Sequence, residues 1–127
     1  MKLMRKLSKS LEDYLEAILL LELDGKTPRS IDIAKHLGVS KPAVTNALKR
    51  LARRGLVSKS SYTDVTFTNE GRNLAKNIYH RHTTIKKFLV SIGVDKETAE
   101  RDCCKIEHVI SEKTLHALAK TLKEKIK

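Results

Sequence analysis

The sequence predicts a mainly α-helical chain whose helices are interrupted once, near the middle, by a short pair of strands. Three observations predict it. Apolar residues recur at three- and four-residue spacing along most of the 127 residues, which is the period of an amphipathic helix. Turn and capping residues punctuate those stripes at Asp24-Gly25, Gly38-Val39-Ser40, Gly55 and Gly93-Val94-Asp95, where a helix can stop and restart. Between Leu56 and Thr68 the pattern shifts to β-branched and aromatic residues, which favour strands.

The first eight residues read as a basic arm. Ser8 or Ser10 caps a helix to about Leu23, with Glu12 and Asp13 in the first turn, where the helix dipole favours acids. Leu11, Leu15 and Ile18 trace its inward stripe; Tyr14, Leu19, Leu21 and Leu23 widen it. Asp13 and Glu16 share a face, as a solvated acidic turn or as metal donors. After the turn at Asp24–Pro28, Ser30 is expected to cap a helix from Ile31 to Leu37 with Ile31, Ala34 and Leu37 inward. Ser40 caps a third helix, with Pro42 in its first turn, where the missing N–H costs least. Val44, Leu48 and Leu51 form its buried stripe, and Gly55 stops it.

The outer face of that third helix carries Lys41, Pro42, Thr45, Asn46, Lys49, Arg50 and Arg53. Two short helices joined by Gly38-Val39-Ser40, the second basic outside and small at its start, read as a helix-turn-helix. The strand pair that follows is then a wing, with Lys59 and Tyr62 at its tip near the phosphate backbone. Charge agrees. The chain carries a net +11, of which residues 1–60 supply +7 and residues 61–127 supply +4, a bias suited to a polyanion.

Thr68-Asn69-Glu70 opens a long helix to about Ile92, with Gly71 tolerated near its start. Leu74, Ile78, Ile85, Phe88, Leu89 and Ile92 make its stripe, and His82 sits along it. Asp95 caps a helix from Lys96 to about Val109; Ser111 caps a last one with Thr114, Leu115, Leu118, Leu122 and Ile126 along it. These three helices cannot easily bury their stripes alone, so a homodimer interface is expected. The architecture is therefore an N-terminal winged helix-turn-helix over residues 1–70 and an α-helical metal-binding and dimerisation domain over 71–127. With 40% hydrophobic and 32% charged residues but 4% aromatics, the core is aliphatic. No apolar run reaches membrane-span length and no signal segment opens the chain, so a cytoplasmic protein is expected, with no membrane partner.

Cys104, Glu107 and His108 lie at i, i+3 and i+4, on one face of a helix, and thiolate, carboxylate and imidazole together suit a divalent transition metal. The adjacent Cys103 and Cys104 would point about 100° apart on a helix, which argues against a structural disulfide and for a reducing compartment.

The run Cys104-Lys-Ile-Glu107-His108-Val-Ile-Ser111 resembles the Cys/Glu-x-x-Glu-His-x-x-Ser segment of the diphtheria toxin repressor family of iron- and manganese-dependent repressors. Glu12-Asp13-Tyr14-Leu15-Glu16, Val39-Ser40-Lys41-Pro42-Ala43-Val44-Thr45, Thr66–Gly71, Arg81-His82, Phe88-Leu89 and Ile92–Asp95 resemble further segments of it, in order. The resemblance implies that Asp13, Glu16, His82, Cys104, Glu107 and His108 are the metal ligands, and that Ser40, Pro42 and Asn46 contact DNA. It also shows departures. A third, SH3-like domain is lacking, as in the short branch typical of manganese regulators, and Asp13 matches that branch. Cys104 instead matches the iron-type branch. The ancillary-site carboxylate one turn after His82 is replaced by Lys86, so a second site would be altered, with Glu100 as a possible donor.

The function these readings imply is a dimeric repressor of metal-uptake genes that binds palindromic double-stranded DNA operators when loaded with iron(II) or manganese(II), Cys104 leaning the choice toward iron(II). Ser40 and Asn46 would set sequence preference, while Lys49, Arg50, Arg53 and Lys59 meet phosphates and Lys41 lies on the same DNA-facing side. The rival is a winged-helix regulator switched by thiol oxidation at Cys103-Cys104 without metal. A hydrolase using Glu16 or Glu107 as base has no evident cleft for a small organic substrate, so no enzyme is expected; a protein-binding adaptor is a further rival.

Overall fold

The computed structural model of the chain describes residues 7–58 and 64–126. Among the described residues the order is α1 (Lys9–Leu23), α2 (Ser30–Leu37), α3 (Lys41–Arg53), β1 (Val57–Ser58), β2 (Thr66–Phe67), α4 (Asn69–Ser91), α5 (Lys96–Ile106) and α6 (Glu112–Ile126). They form two compact units that divide between Lys76 and Asn77.

In the first unit each helix starts where a short polar side chain can replace a missing backbone partner. Ser8 caps α1, its Oγ accepting from the Leu11 N–H at 3.2 Å. Ser40 does the same for α3, accepting from Ala43 N–H at 3.2 Å. For α2 the expectation fails: the helix begins at Ser30 itself, and Asp32 reaches back to accept from Arg29 N–H at 3.1 Å. Helical period puts Ile31 and Ile33 about 200° apart, so only one of them can face the core. Ile33 is fully buried and Ile31 is 40% exposed, so Ile33 and Ala34, not Ile31, face inward. Leu15, Ile18, Ile33, Val44 and Leu51 are buried together with the hairpin residues Leu56, Val57 and Val65. Leu23, expected to widen the α1 stripe, is 63% exposed at the helix end.

β1 and β2 pair antiparallel, Val57 opposite Phe67 and Ser58 opposite Thr66. An isolated bridge between Arg29 and Asp64 and a 2.9 Å bond from Val65 N–H to the Pro28 carbonyl tie the hairpin to the start of α2. The start of α4 packs onto the hairpin. Thr68 Oγ1 donates to the Gly55 carbonyl at 2.7 Å and accepts from Gly71 N–H at 3.0 Å. Gly71 is there because nothing larger fits: a Cβ would lie 1.8 Å from the Leu56 carbonyl oxygen. By spacing alone this glycine is merely tolerated near a helix start; the carbonyl against it makes it required. Arg72, one residue on, grips Glu22 of α1 with both terminal nitrogens, at 2.5 and 3.3 Å, and stacks over the Phe67 ring.

In the second unit, Ile85 of α4, Cys103 of α5 and Leu115 of α6 form the buried centre, with Leu89, Ile106, Ile110 and Leu118 packed around it. Asp95 caps α5, accepting from Thr98 N–H at 3.0 Å, and Ser111 accepts from Thr114 N–H at 3.1 Å to start α6. α5 is shorter than expected, ending at Ile106 rather than near Val109. Its last turn is received by α4, where Arg81 donates to the Glu107 carbonyl at 3.2 Å. Of the expected stripes, Ile92 is 53% exposed and Leu122 half-buried.

Candidate metal centre and nucleic-acid interface

The shortened α5 changes how its donors are presented. Glu107 is the helix cap, in helical backbone with its N–H still bonded to the Cys103 carbonyl, and His108 lies in the turn after it. They meet other donors through the fold. Glu107, 1% exposed, is flanked by two imidazoles: His82 Nδ1 lies 2.7 Å from Oε1, and His108 Nε2 lies 3.4 Å from Oε2. A carboxylate so far from water requires compensating charge or donors.

The other edge of the His82 ring faces Glu100 and the cysteines. Nε2 lies 3.2 Å from the Glu100 carboxylate and 3.7 Å from Cys103 Sγ. Cys104 Sγ donates to Glu100 Oε2 at 3.4 Å. Donor atoms of His82, Glu100, Cys103 and Cys104 all lie within 4.8 Å of one another. Burial and the nearby Glu100 carboxylate push the Cys103 thiol up to about 11; burial, then the Glu100 hydrogen bond and charge, push that of Cys104 up to about 12. At neutral pH neither is a ready thiolate nucleophile, which weighs against oxidation as a signal. A cation bound there would draw off those protons.

Of the six ligands expected, the fold thus gathers His82, Glu107 and His108 around one carboxylate and places Cys104 against Glu100. Asp13 and Glu16 stand one turn apart on α1 in the first unit, where Lys9 Nζ pairs with Asp13 at 3.1 Å. Sequence reasoning did not choose Cys103 or Arg81. The signal for Cys103 was present: Glu100, Cys103, Cys104 and Glu107 follow i, i+3, i+4, i+7, a complete helical face. The donor set of imidazole, carboxylate and thiol, largely buried, fits a divalent transition metal.

On α3 every expected DNA-contacting side chain, from Lys41 and Pro42 through Thr45, Asn46, Lys49, Arg50 and Arg53, is exposed, as is the cap Ser40. Arg50, Arg53 and the following Arg54 line one hollow with Leu11, so Arg54 extends the basic surface beyond the residues chosen from sequence. Lys59 and Tyr62 lie outside the described residues.

A helix-turn-helix with a paired hairpin after it, followed by a helical unit rich in metal donors, defines a metal-responsive DNA-binding regulator. The chain belongs to the iron-dependent repressor family: residues 6–65 match the family model for the N-terminal DNA-binding domain, and residues 68–125 that for the metal-binding and dimerisation domain. It is 42% identical over 123 residues to a helix-turn-helix-type transcriptional regulator of Methanocaldococcus jannaschii, covering 95% of this chain and 98% of that protein. It is 41% identical over 107 residues to the transcriptional regulator MntR of Escherichia coli O157:H7, covering 84% and 69%. The structure of the manganese regulator SloR superposes with a TM-score of 0.79 at 29% identity, over 89% of this chain and 53% of SloR, so the chain spans about half of that protein. The chain is a metal-dependent, DNA-binding transcriptional repressor that acts as a dimer, and the comparisons support this over the thiol-oxidation reading. The family is one of transcriptional regulators. Among the described residues no helix is long and apolar enough to cross a membrane.

Proposed function

We propose that this repressor acts in the cytoplasm on metal-uptake genes, without catalytic activity, and reads palindromic operators when iron(II) or manganese(II) is bound. The observation that carries the metal reading is Glu107, 1% exposed with imidazoles at both of its oxygens. The ligand set is His82, Cys104, Glu107 and His108, joined by Asp13 and Glu16 of α1 as the family resemblance implies. When bound, the ion supplies a double positive charge on which carboxylates, imidazoles and a thiolate can converge without mutual repulsion. Residues 1–70 are the reader and residues 71–127 the metal-binding and dimerisation domain; the changeover between the two family models, at residues 65 to 68, supports that boundary.

In the reader, Ser40 starts α3 so that its N-terminal end can enter the major groove, with Pro42 and Thr45 beside it and Asn46 facing a base edge. Lys41, Lys49, Arg50 and Arg53, with Lys59 and Tyr62 of the wing, hold the backbone. In the second domain the match of residues 68–125 to a metal-binding and dimerisation domain supports pairing with a second subunit. Donors recruited from α1 couple the reader to the dimerisation helices, and coupling of this kind is typically worth about 1–3 kcal/mol. SloR is named a manganese regulator and the family models describe iron-dependent repressors, so both ions are carried forward. The thiol of Cys104 favours iron(II).

The test is anaerobic selection of genomic fragments by the purified protein with iron(II), with manganese(II) and with chelator. Enrichment of palindromic sites beside metal-transport genes with metal alone is the expected result. Equal enrichment under chelation would remove the metal switch.

A further inference from the structure

We propose that the second unit holds a thiolate-rich site of its own, in which His82, Glu100, Cys103 and Cys104 bind a thiophilic divalent ion such as zinc(II) with no help from Asp13 or Glu16. The site goes beyond the six-ligand reading, sharing with it only His82 and Cys104. Zinc bonds of about 2.0 Å to nitrogen or oxygen and about 2.3 Å to sulfur set the edges of a tetrahedron of donors at roughly 3.3–3.8 Å. Three of the six edges here are close to that: 3.2 Å from His82 Nε2 to Glu100, 3.7 Å from Nε2 to Cys103 Sγ, and 3.4 Å from Cys104 Sγ to Glu100. All four donors lie within 4.8 Å of one another.

The surroundings fit as well. His82 turns Nε2 to Glu100 at 3.2 Å and Nδ1 to Glu107 at 2.7 Å, with Cys103 Sγ beside the ring at 3.7 Å from Nε2 and 3.6 Å from Nδ1. A carboxylate on Nδ1 fixes the ring and raises the basicity of the ligating nitrogen. A neutral imidazole, one carboxylate and two thiolates around a divalent ion leave one negative charge in excess, and Lys86 Nζ sits 3.0 Å from Glu100 to meet it. Each thiol gives its proton to solvent on binding. Cys103 also belongs to the buried centre with Ile85 and Leu115, so ion binding would brace α5 against α4. Two sulfurs select against manganese(II).

The alternative is that Cys103 is a small apolar core residue and nothing more. Two measurements on the full-length, reduced protein separate the readings. X-ray absorption of the zinc-loaded protein should count two sulfurs in the coordination shell; a count of one or none overturns the proposal. Anaerobic cobalt(II) titration should show thiolate-to-metal charge-transfer absorption that falls by about half in Cys103→Ser and in Cys104→Ser, and persists in Asp13→Asn/Glu16→Gln. Absorption unchanged in Cys103→Ser overturns the proposal and leaves the six-ligand reading standing. The latter fails independently if Asp13→Asn/Glu16→Gln retains metal-dependent DNA binding.

Discussion

His82 Nδ1 and Glu107 Oε1 lie 2.7 Å apart, and the carboxylate that makes this contact is 1% exposed. Glu107→Gln keeps the volume and most hydrogen-bonding capacity while removing the anionic donor. The substitution should weaken metal binding by at least about 10–100-fold and abolish metal-dependent operator binding at ordinary metal concentrations. Unfolding of the metal-free protein should change far less. Calorimetric metal titration beside a chelator-treated melt separates these effects, and a normal metal affinity would remove Glu107 from the ligand set.

Cys104 supplies the soft donor of the proposed six. Replacing it with glutamate makes that set harder and should move the ranking of activating ions toward manganese(II) over iron(II). Operator binding titrated with each ion under anaerobic conditions reads the ranking directly. An unchanged order would show that geometry elsewhere sets selectivity.

On α3, capping and reading can be distinguished. Ser40 Oγ holds the Ala43 N–H, so Ser40→Ala should cost about 1 kcal/mol of stability in addition to DNA affinity. Asn46 is exposed, so Asn46→Ala should leave stability alone and relax operator preference by about 1–3 kcal/mol at the base it meets. Lys49→Gln should weaken all sequences alike and lower the salt slope by about 1. Denaturation curves and operator-variant binding at several salt concentrations check all three.

Gly71→Ala places a methyl group 1.8 Å from the Leu56 carbonyl oxygen, and the Leu56 backbone is held by bonds from its own N–H to the Leu51 carbonyl and from the Thr68 N–H to its carbonyl. The start of α4 must then move away from the hairpin, at an expected cost of about 1–3 kcal/mol or more. Urea denaturation measures it. A variant as stable as the parent would show that the hairpin yields easily.

Hydrogen bonds from the Thr98 N–H and then the Thr98 hydroxyl hold the Asp95 carboxyl below its ordinary value. Because the folded value is the lower one, the stabilisation is present above the unfolded value and is lost as pH falls through the folded value. Asn is a comparable cap without the charge. The stability advantage of the parent over Asp95→Asn should therefore hold at neutral pH and shrink toward zero below about pH 3. Parallel thermal melts from pH 7 to about pH 2 follow it, and a difference that stays constant down to the lowest pH would contradict the assignment.

What the sequence determined by itself was local. Ser40 and Asp95 announce helix starts because a short polar side chain bonds its own backbone within three residues, whatever the rest of the chain does. Val44, Leu48 and Leu51 declare their face because helical period alone aligns them. Tertiary structure decided whatever required a distant partner. Ile33 rather than Ile31 faces the core because two isoleucines two apart on a helix cannot both point inward, and the packing of α2 on α1 and α3 selects Ile33. α5 ends at Ile106 with no glycine to mark it, and Arg81, 26 residues away in sequence, donates to the Glu107 carbonyl. Gly71 reads as a mild defect until the Leu56 carbonyl lies against it. Glu100 sits one turn from Cys103 on the same helix and was legible in the spacing, but only the packing of α4 against α5 brings His82 to the Cys103 sulfur. Contacts within a turn are written in residue spacing; convergence of donors from separate helices depends on how their faces pack.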